Sequence, residues 1–428
     1  MKNFGPKVAL WISLLGLLVA CGSGQKPVQA AGRKHVLLVT VEGLRGDAVG
    51  AFESWFNVPA ETDEGAARAS PGGSAWTPNL DRLAEASFTY GYALATSSWC
   101  APSTASIMAS EYPSYLDFKS LERSLDGDHT TLAEVLRSAG WKTRAFVQHS
   151  FLRTRYNLDQ GFEDYMVAED ESSRERAATT VSQAVEAIGD LGNTSTLLWV
   201  QLGGLGPPFD LGDNQQPLTR SEWLRYRDQW QPEDLEVLRE RYNAGVQRVD
   251  QQLGLLLDAL VDSSKTQETV IVCVASNGCE LLEKGHIGDG TSLADSLVRV
   301  PLMISVAGTR PGVIENPVSL VDLAPSLLRL VGLSAPRTWR GVSVLPREPV
   351  PDRFLFSELS RARELRVAVR ADYKLVLDPE KGTHRMFDVF SDPHEVRDLS
   401  VQKGALAQEL LGAIKNFEEG LKLENSDI

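Results

Sequence analysis

Five short runs of aliphatic and β-branched residues decide most of what this chain can fold into. They are His35-Val-Leu-Leu-Val-Thr-Val41, Thr143-Arg-Ala-Phe-Val147, Leu197-Leu-Trp-Val-Gln-Leu202, Val270-Ile-Val-Cys-Val-Ala275 and Pro301-Leu-Met-Ile-Ser-Val306. They lack the polar alternation of a half-exposed strand, which predicts strands buried on both faces. Helical patterns lie between them. Thr77 before Pro78 supplies an N-cap and a proline in the first turn. Thr130 or Thr131 caps a second helix that Gly140 stops. From Glu233 to Leu260, residues Tyr242, Val246, Val249, Leu253, Leu256 and Leu257 fall on one helical face. Strand alternating with helix predicts the α/β class, a mainly parallel sheet flanked by helices.

The pattern changes after Arg347-Glu-Pro-Val-Pro351. Short alternating segments, Val367-Ala-Val-Arg370 and Tyr373-Lys-Leu-Val-Leu377, precede a polar helix from Gly404 to Leu423. This predicts a small C-terminal antiparallel sheet plus helix over 349–428, packed on an α/β domain at 35–348. With 428 residues, 43% of them apolar, the chain is long enough for both. Residues Glu53 to Ala75 read as a surface excursion.

The first residues carry a different signal. Lys2 and Lys7 form a basic segment ahead of an apolar run, Val8 to Ala20. It falls short of the roughly 20 residues that span a bilayer and suits a signal peptide over 1–20. Leu18-Val19-Ala20-Cys21 resembles the lipobox of bacterial lipoproteins, which implies a lipidated Cys21 and a flexible tether over 21–34. The expected location is the bacterial cell envelope, lipid-anchored and extracytoplasmic, with the membrane as a partner. A formal charge of −14 argues against nucleic acid as a partner. A protein or glycan partner is left open.

Three cysteines remain: Cys100, Cys273 and Cys279. Cys273 sits inside the fourth apolar run and reads as core. Cys100 stands in Ser97-Ser-Trp-Cys-Ala-Pro-Ser-Thr104, just before an expected helix start.

Several stretches, in order, resemble the sulfatase family of the alkaline phosphatase superfamily. They are His35 to Asp47, Thr77 to Ala84, Cys100-Ala-Pro-Ser-Thr104 with Tyr112-Pro113, Ser276-Asn-Gly-Cys-Glu280, Arg299-Val-Pro-Leu-Met-Ile304, Ser319 to Pro325, and Tyr373-Lys-Leu with Phe387 to Pro393. The resemblance implies an alkaline-phosphatase-like fold over about Lys34 to Leu423. It also implies that Cys100 holds the nucleophile position, which the family fills with a formylglycine made from cysteine. A calcium ion and several cationic side chains would complete the site.

The residues depart from that pattern. Thr104 stands where the nucleophile motif has arginine. The metal set reduces to Glu42, followed by Gly43, and Asn277, followed by Gly278. Positions that carry cations in the family fall at Gly206, at or near Gln148, and at Asp289. His149 and His286 lie close by and read either as partial replacements or as structural histidines. A set this depleted predicts no tight calcium site, calcium returning only if the family site survives. The two thiols, Cys100 and Cys279, are expected to lie close enough for a disulfide or a soft-metal site. The expectation is a sulfatase-like pseudoenzyme that acts in binding or scaffolding. The alternative is an active metal-dependent hydrolase of sulfuric or phosphoric esters using Cys100, and a third reading is a cell-envelope transferase on the same fold.

Overall fold

The computed structural model describes residues 34–56, 76–120, 122–169, 172–207, 235–348, 350–361 and 363–426. The expected signal peptide, Cys21 and its tether fall outside the described residues, as does most of the Glu53–Ala75 excursion. No helix among the described residues is long and apolar enough to cross a membrane.

The apolar runs form a central sheet. Its strands are β1 (His35–Glu42), β2 (Phe88–Tyr90), β3 (Lys142–Val147), β4 (Asp164–Val167), β5 (Thr196–Leu202), β6 (Thr269–Asn277), β7 (Leu302–Val306) and β8 (Gly312–Ile314), in the spatial order β8-β2-β7-β6-β1-β5-β3-β4. Strand β1 runs parallel to both neighbours, with His35 opposite Thr196 on one side and Thr269 on the other. Every residue of β1 is buried except Glu42, at its carboxyl end. One polar group in this interior is matched locally: the Trp199 indole donates to Thr40 Oγ1 at 2.9 Å.

Strand β7 departs from the parallel scheme. It runs antiparallel to β6, with Leu302 opposite Val274, and antiparallel to β2. Apolar content signals burial and carries no information about strand direction. Only the connection decides that, and an antiparallel neighbour needs no crossover helix.

The flanking helices are α1 (Pro78–Glu85), α2 (Cys100–Ala109), α3 (Leu132–Ser138), α4 (Ser173–Gly189), α5 (Leu235–Asp262) and α6 (Leu323–Leu330). Helices α1, α4 and α5 pack together, while α2 packs with α3 and α6. The long helix α5 buries Tyr242, Val246, Val249, Leu253, Leu256 and Leu257, as its periodicity predicts. Thr131 caps α3 through a reciprocal box with Glu134, whose backbone N–H donates to Thr131 Oγ1 at 3.2 Å while its carboxylate accepts the Thr131 N–H at 2.8 Å.

Thr77 does not cap α1 in the expected way. Its hydroxyl accepts from Gly50 N–H instead. The orphan amides of Asn79 and Leu80 donate to Asp250 Oδ1, on α5, at 2.9 and 2.8 Å. A carboxylate at a helix N-terminus is favoured by the dipole as well as by the hydrogen bonds.

Beyond residue 350, β9 (Leu355–Ser360), β10 (Glu364–Arg370), β11 (Tyr373–Asp378) and β12 (Thr383–Asp388) form an antiparallel meander. Helix α7 (Gly404–Ser426) packs against β10 and β11. Phe356 and Phe417 stack at 4.4 Å, and Tyr112 meets both edge-on, joining this unit to the chain that follows α2. A second join is ionic. The fully buried Lys374 on β11 donates to Asp295 at 2.6 Å and to Glu395 at 2.7 Å.

Candidate functional site

In parallel α/β sheets, ligands bind outside the carboxyl ends of the strands. Here Glu42 ends β1 and Asn277 ends β6, and the two are opposite one another across a bulge between Val41 and Glu42. The chain leaving β3 supplies Gln148 and His149. Their backbone N–H groups both donate to the side-chain oxygen of Gln201 on β5, at 3.1 and 3.0 Å, which holds that turn against the sheet. Helix α2 begins at Cys100 and packs against β6.

These elements bring Glu42, Cys100 and His149 together, with one ligand atom of each lying within 4.8 Å of the others. His149 Nε2 is 2.9 Å from Glu42 Oε1. The Phe151 N–H donates to His149 Nδ1 at 3.1 Å, which leaves the ring proton on Nε2, facing the carboxylate. Both ring nitrogens are therefore engaged elsewhere, and neither is offered to Cys100 as a base.

The thiol itself is 1% exposed, and its near polar neighbour is Thr104 Oγ1 at 3.7 Å. Burial first, and then the charge of Glu42, push the Cys100 pKa well above its ordinary value. Hydrogen bonds from Thr104 and Ser276 offset this only in part. Cys100 is a protonated thiol at neutral pH, and the thiol is a far weaker nucleophile than the thiolate.

Asp289 and Arg361 complete the surroundings. The loop carrying Asp289 is tied to the segment before α2 by Gly290 N–H donating to the Ser98 carbonyl at 2.9 Å. Arg361, just after β9, stands 3.6 Å from Asp289 and 5.2 Å from the centre of the Trp99 ring. Burial and then Glu42 push the Asp289 carboxyl up to about 6, against the pull of Arg361.

A raised carboxyl pKa has a stability consequence. Between about pH 4 and 6 the folded chain keeps a proton that the unfolded chain has lost, so stability falls as pH rises through that window. The shift corresponds to about 3 kcal/mol before solvent screening. With the side chain 33% exposed, the expected cost is about 1 kcal/mol. Asp289→Asn should therefore be about 1 kcal/mol more stable than the parent at pH 7 and equal to it below pH 4. Denaturant titrations of chelator-treated protein at the two pH values check this, and equal stability at pH 7 would contradict it.

The other expected site residues are placed as follows. Asn277 turns inward: its Oδ1 accepts from Ser276 Oγ at 2.9 Å and its Nδ2 donates to the Gly278 carbonyl at 2.9 Å. His286 is exposed and lies on the loop that follows Glu280. The expected joining of Cys100 and Cys279 does not occur, since both thiols are free. Cys279 is engaged within its own loop instead: its carbonyl accepts from Arg45 at 2.9 Å and its sulfur lies against the Glu280 carbonyl at 3.7 Å. Arg361 gave no sequence signal, because it reaches the site from the C-terminal sheet.

Calcium, the ion implied by the resemblance, does not fit these donors. It takes six to eight oxygen ligands with substantial negative charge. Glu42 spends one oxygen on His149, Asn277 is folded onto its own loop, and Asp289 faces Arg361. The positions after the two ligands are closed as well. A Cβ on Gly278 would lie 2.0 Å from the Ser296 carbonyl oxygen, and Gly43 has φ +77° with a Cβ position 3.1 Å from that of Leu205.

A protein-family model described as Sulfatase matches residues 34–333. The chain is 30% identical over 195 residues to a sulfatase of Formosa agariphila, a match covering 44% of this chain and 37% of that protein. It is 32% identical over 200 residues to the choline-sulfatase of Rhizobium meliloti, covering 43% of this chain and 38% of that one. These matches thus span less than two fifths of the relatives' own length. Among solved structures, the phosphonate monoester hydrolase of Agrobacterium radiobacter has the same fold, with a TM-score of 0.70 at 18% identity over 92% of this chain and 96% of that one.

Proposed function

This chain belongs to the sulfatase family, and from that premise we propose that it is a non-hydrolytic member, lipid-anchored through Cys21 in the cell envelope. Its remodelled pocket binds or scaffolds a protein or glycan partner and does not cleave an ester. Cleavage at a sulfuryl centre needs a strong oxygen nucleophile and positive charge where the departing anion develops. The observation that carries the reading is the sign of the charge around Cys100. The charged groups that weigh most on this thiol are Glu42 and Asp289, both acidic. An anionic ester entering here meets a protonated sulfur and two carboxylates, and the nearest donors, His149 and Arg361, are already paired with those carboxylates. Loss of one transition-state donor costs about two to three decades of rate. Here the motif arginine and the family's cationic positions are replaced together, by Thr104, Gly206 and Asp289.

The relatives' names point the other way, so turnover is the test. Purified protein is assayed with aryl sulfate and aryl phosphate in the presence of calcium, manganese or zinc. The expected rate equals that of Cys100→Ala, within error. Robust turnover abolished by Cys100→Ala would overturn the proposal in favour of an active hydrolase. The anchor is tested separately: Cys21→Ala should move the protein from the membrane to the soluble fraction, and continued membrane retention would count against lipidation.

A further inference from the structure

We propose that the pocket has exchanged a calcium site for a site of softer character, in which Glu42, Cys100 and His149 hold one zinc-class divalent cation. Among the described residues, these three form the one cluster of histidine, cysteine and carboxylate donors close enough to share an ion. Sulfur, imidazole nitrogen and a single carboxylate are the ligand types of zinc, whereas calcium and magnesium demand oxygen throughout. The three donors come from three separate elements: the end of β1, the first turn of α2 and the turn after β3. Each is fixed by the fold and not by the ion. Glu42 lies in register with Asn277, Cys100 starts a buried helix, and Gln201 holds the backbone of His149.

Two further observations point to a ligand. Gln148 is 6% exposed, and neither its side-chain oxygen nor its nitrogen has a hydrogen-bond partner among the described residues. That amide and the second oxygen of Glu42 converge on Gly203, where a Cβ would come within 3.4 Å of Gln148 Nε2 and 3.0 Å of Glu42 Oε2. A cation with a bound water gives the orphaned amide a partner at hydrogen-bond range. The ion would also bring positive charge to a pocket whose neighbours of Cys100 are acidic.

The proton balance is explicit. Cys100 gives its proton to solvent and binds as thiolate. Glu42 binds as a carboxylate. His149 moves its proton from Nε2 to Nδ1 and gives up the Phe151 hydrogen bond, one neutral contact against a metal–nitrogen bond. One proton is released per ion. Three protein ligands leave the fourth tetrahedral position to water or to a donor atom of a bound partner.

Metal content and ester turnover are measured separately, so this assignment and the non-hydrolytic reading can each fail alone. The test uses untagged, chelator-stripped full-length protein titrated with zinc, and with cobalt(II) as a spectroscopic probe. The expected result is one zinc per chain, about one proton released per ion, and a sulfur-to-cobalt charge-transfer band. Millimolar calcium should not displace the ion. Cys100→Ser should remove the band, and His149→Gln should weaken zinc at least tenfold, with melting of each metal-free variant confirming that it folds. No stoichiometric zinc, a band unchanged in Cys100→Ser, or displacement by calcium would overturn the assignment. Zinc-dependent turnover would instead overturn the non-hydrolytic reading and leave the metal site standing.

Discussion

Gly278→Ala is expected to destabilise the protein by about 3 kcal/mol or more, whereas Gly206→Ala should change stability by no more than about 0.5 kcal/mol. A Cβ at position 278 would sit 2.0 Å from the carbonyl oxygen of Ser296, a backbone atom that cannot rotate away. The same turn is closed by the Gly278 N–H, which donates to the Leu297 carbonyl at 2.8 Å, so relief requires breaking that bond and moving a buried segment. At Gly206 a Cβ meets nothing within 4 Å. The comparison bears on function because the sequence resemblance to sulfatases implies a polar ligand or cation at both positions. At 278 the backbone has closed over the space a ligand would need. Reinstating an asparagine or histidine there would cost the fold before it could supply a metal ligand. Thermal or denaturant melts of the two variants decide the matter, and a Gly278→Ala variant as stable as its parent would show that the turn is loose enough to readmit a ligand.

Lys374→Met is expected to cost about 3–5 kcal/mol, a loss typical of breaking a buried ion pair by removing one partner. Lys374 has no exposed surface, and Asp295 and Glu395 are 1% and 5% exposed. Burial alone would lower the ammonium pKa, but the two carboxylates override it and raise it, so the lysine is charged in the fold. Removing it strands two buried carboxylates beside Tyr92, whose hydroxyl already donates to Asp295 at 3.0 Å. Repair is the sharper part of the prediction. Adding Asp295→Asn and Glu395→Gln to Lys374→Met should recover more than half of the loss, because the cost lies in the unpaired charge and not in the lysine's volume. A loss below about 1 kcal/mol, or no recovery in the triple variant, would mean that the C-terminal sheet is held by its aromatic contacts and not by this cluster.

The class of fold is legible in the sequence because burial on both faces leaves a plain mark: the unbroken apolar runs at His35–Val41 and Val270–Ala275 can hardly be anything but interior strands. The capping box at Thr131 is equally local, two residues three positions apart that satisfy each other. Thr77 shows the limit of such reasoning. Its sequence context is that of an N-cap, yet Asp250 takes the role from a helix far along the chain. Strand direction is likewise set by connections, which is why the antiparallel β7 reads no differently from its parallel neighbours. In the pocket, Glu42, Cys100 and Asn277 are found through family resemblance, and the structure does bring their segments together. Whether each side chain faces the pocket is a matter of rotamer and turn, and there Asn277 folds away while His149 turns in. Cys279 finds its partners in Arg45 and the Glu280 carbonyl, which nothing in its sequence context announces. Arg361 is supplied by another layer of the fold, so no pattern near Cys100 announces it.

The account rests on residue 100 remaining an ordinary cysteine in a pocket unsuited to sulfuryl transfer. The direct measurement is the mass of the peptide spanning Ser97–Ser110 from protein isolated from its native host, after unfolding in an alkylating reagent. The account predicts a single thiol adduct at Cys100 and no product with hydrazine. An aldehyde at that position, reactive with hydrazine and refractory to alkylation, would contradict it.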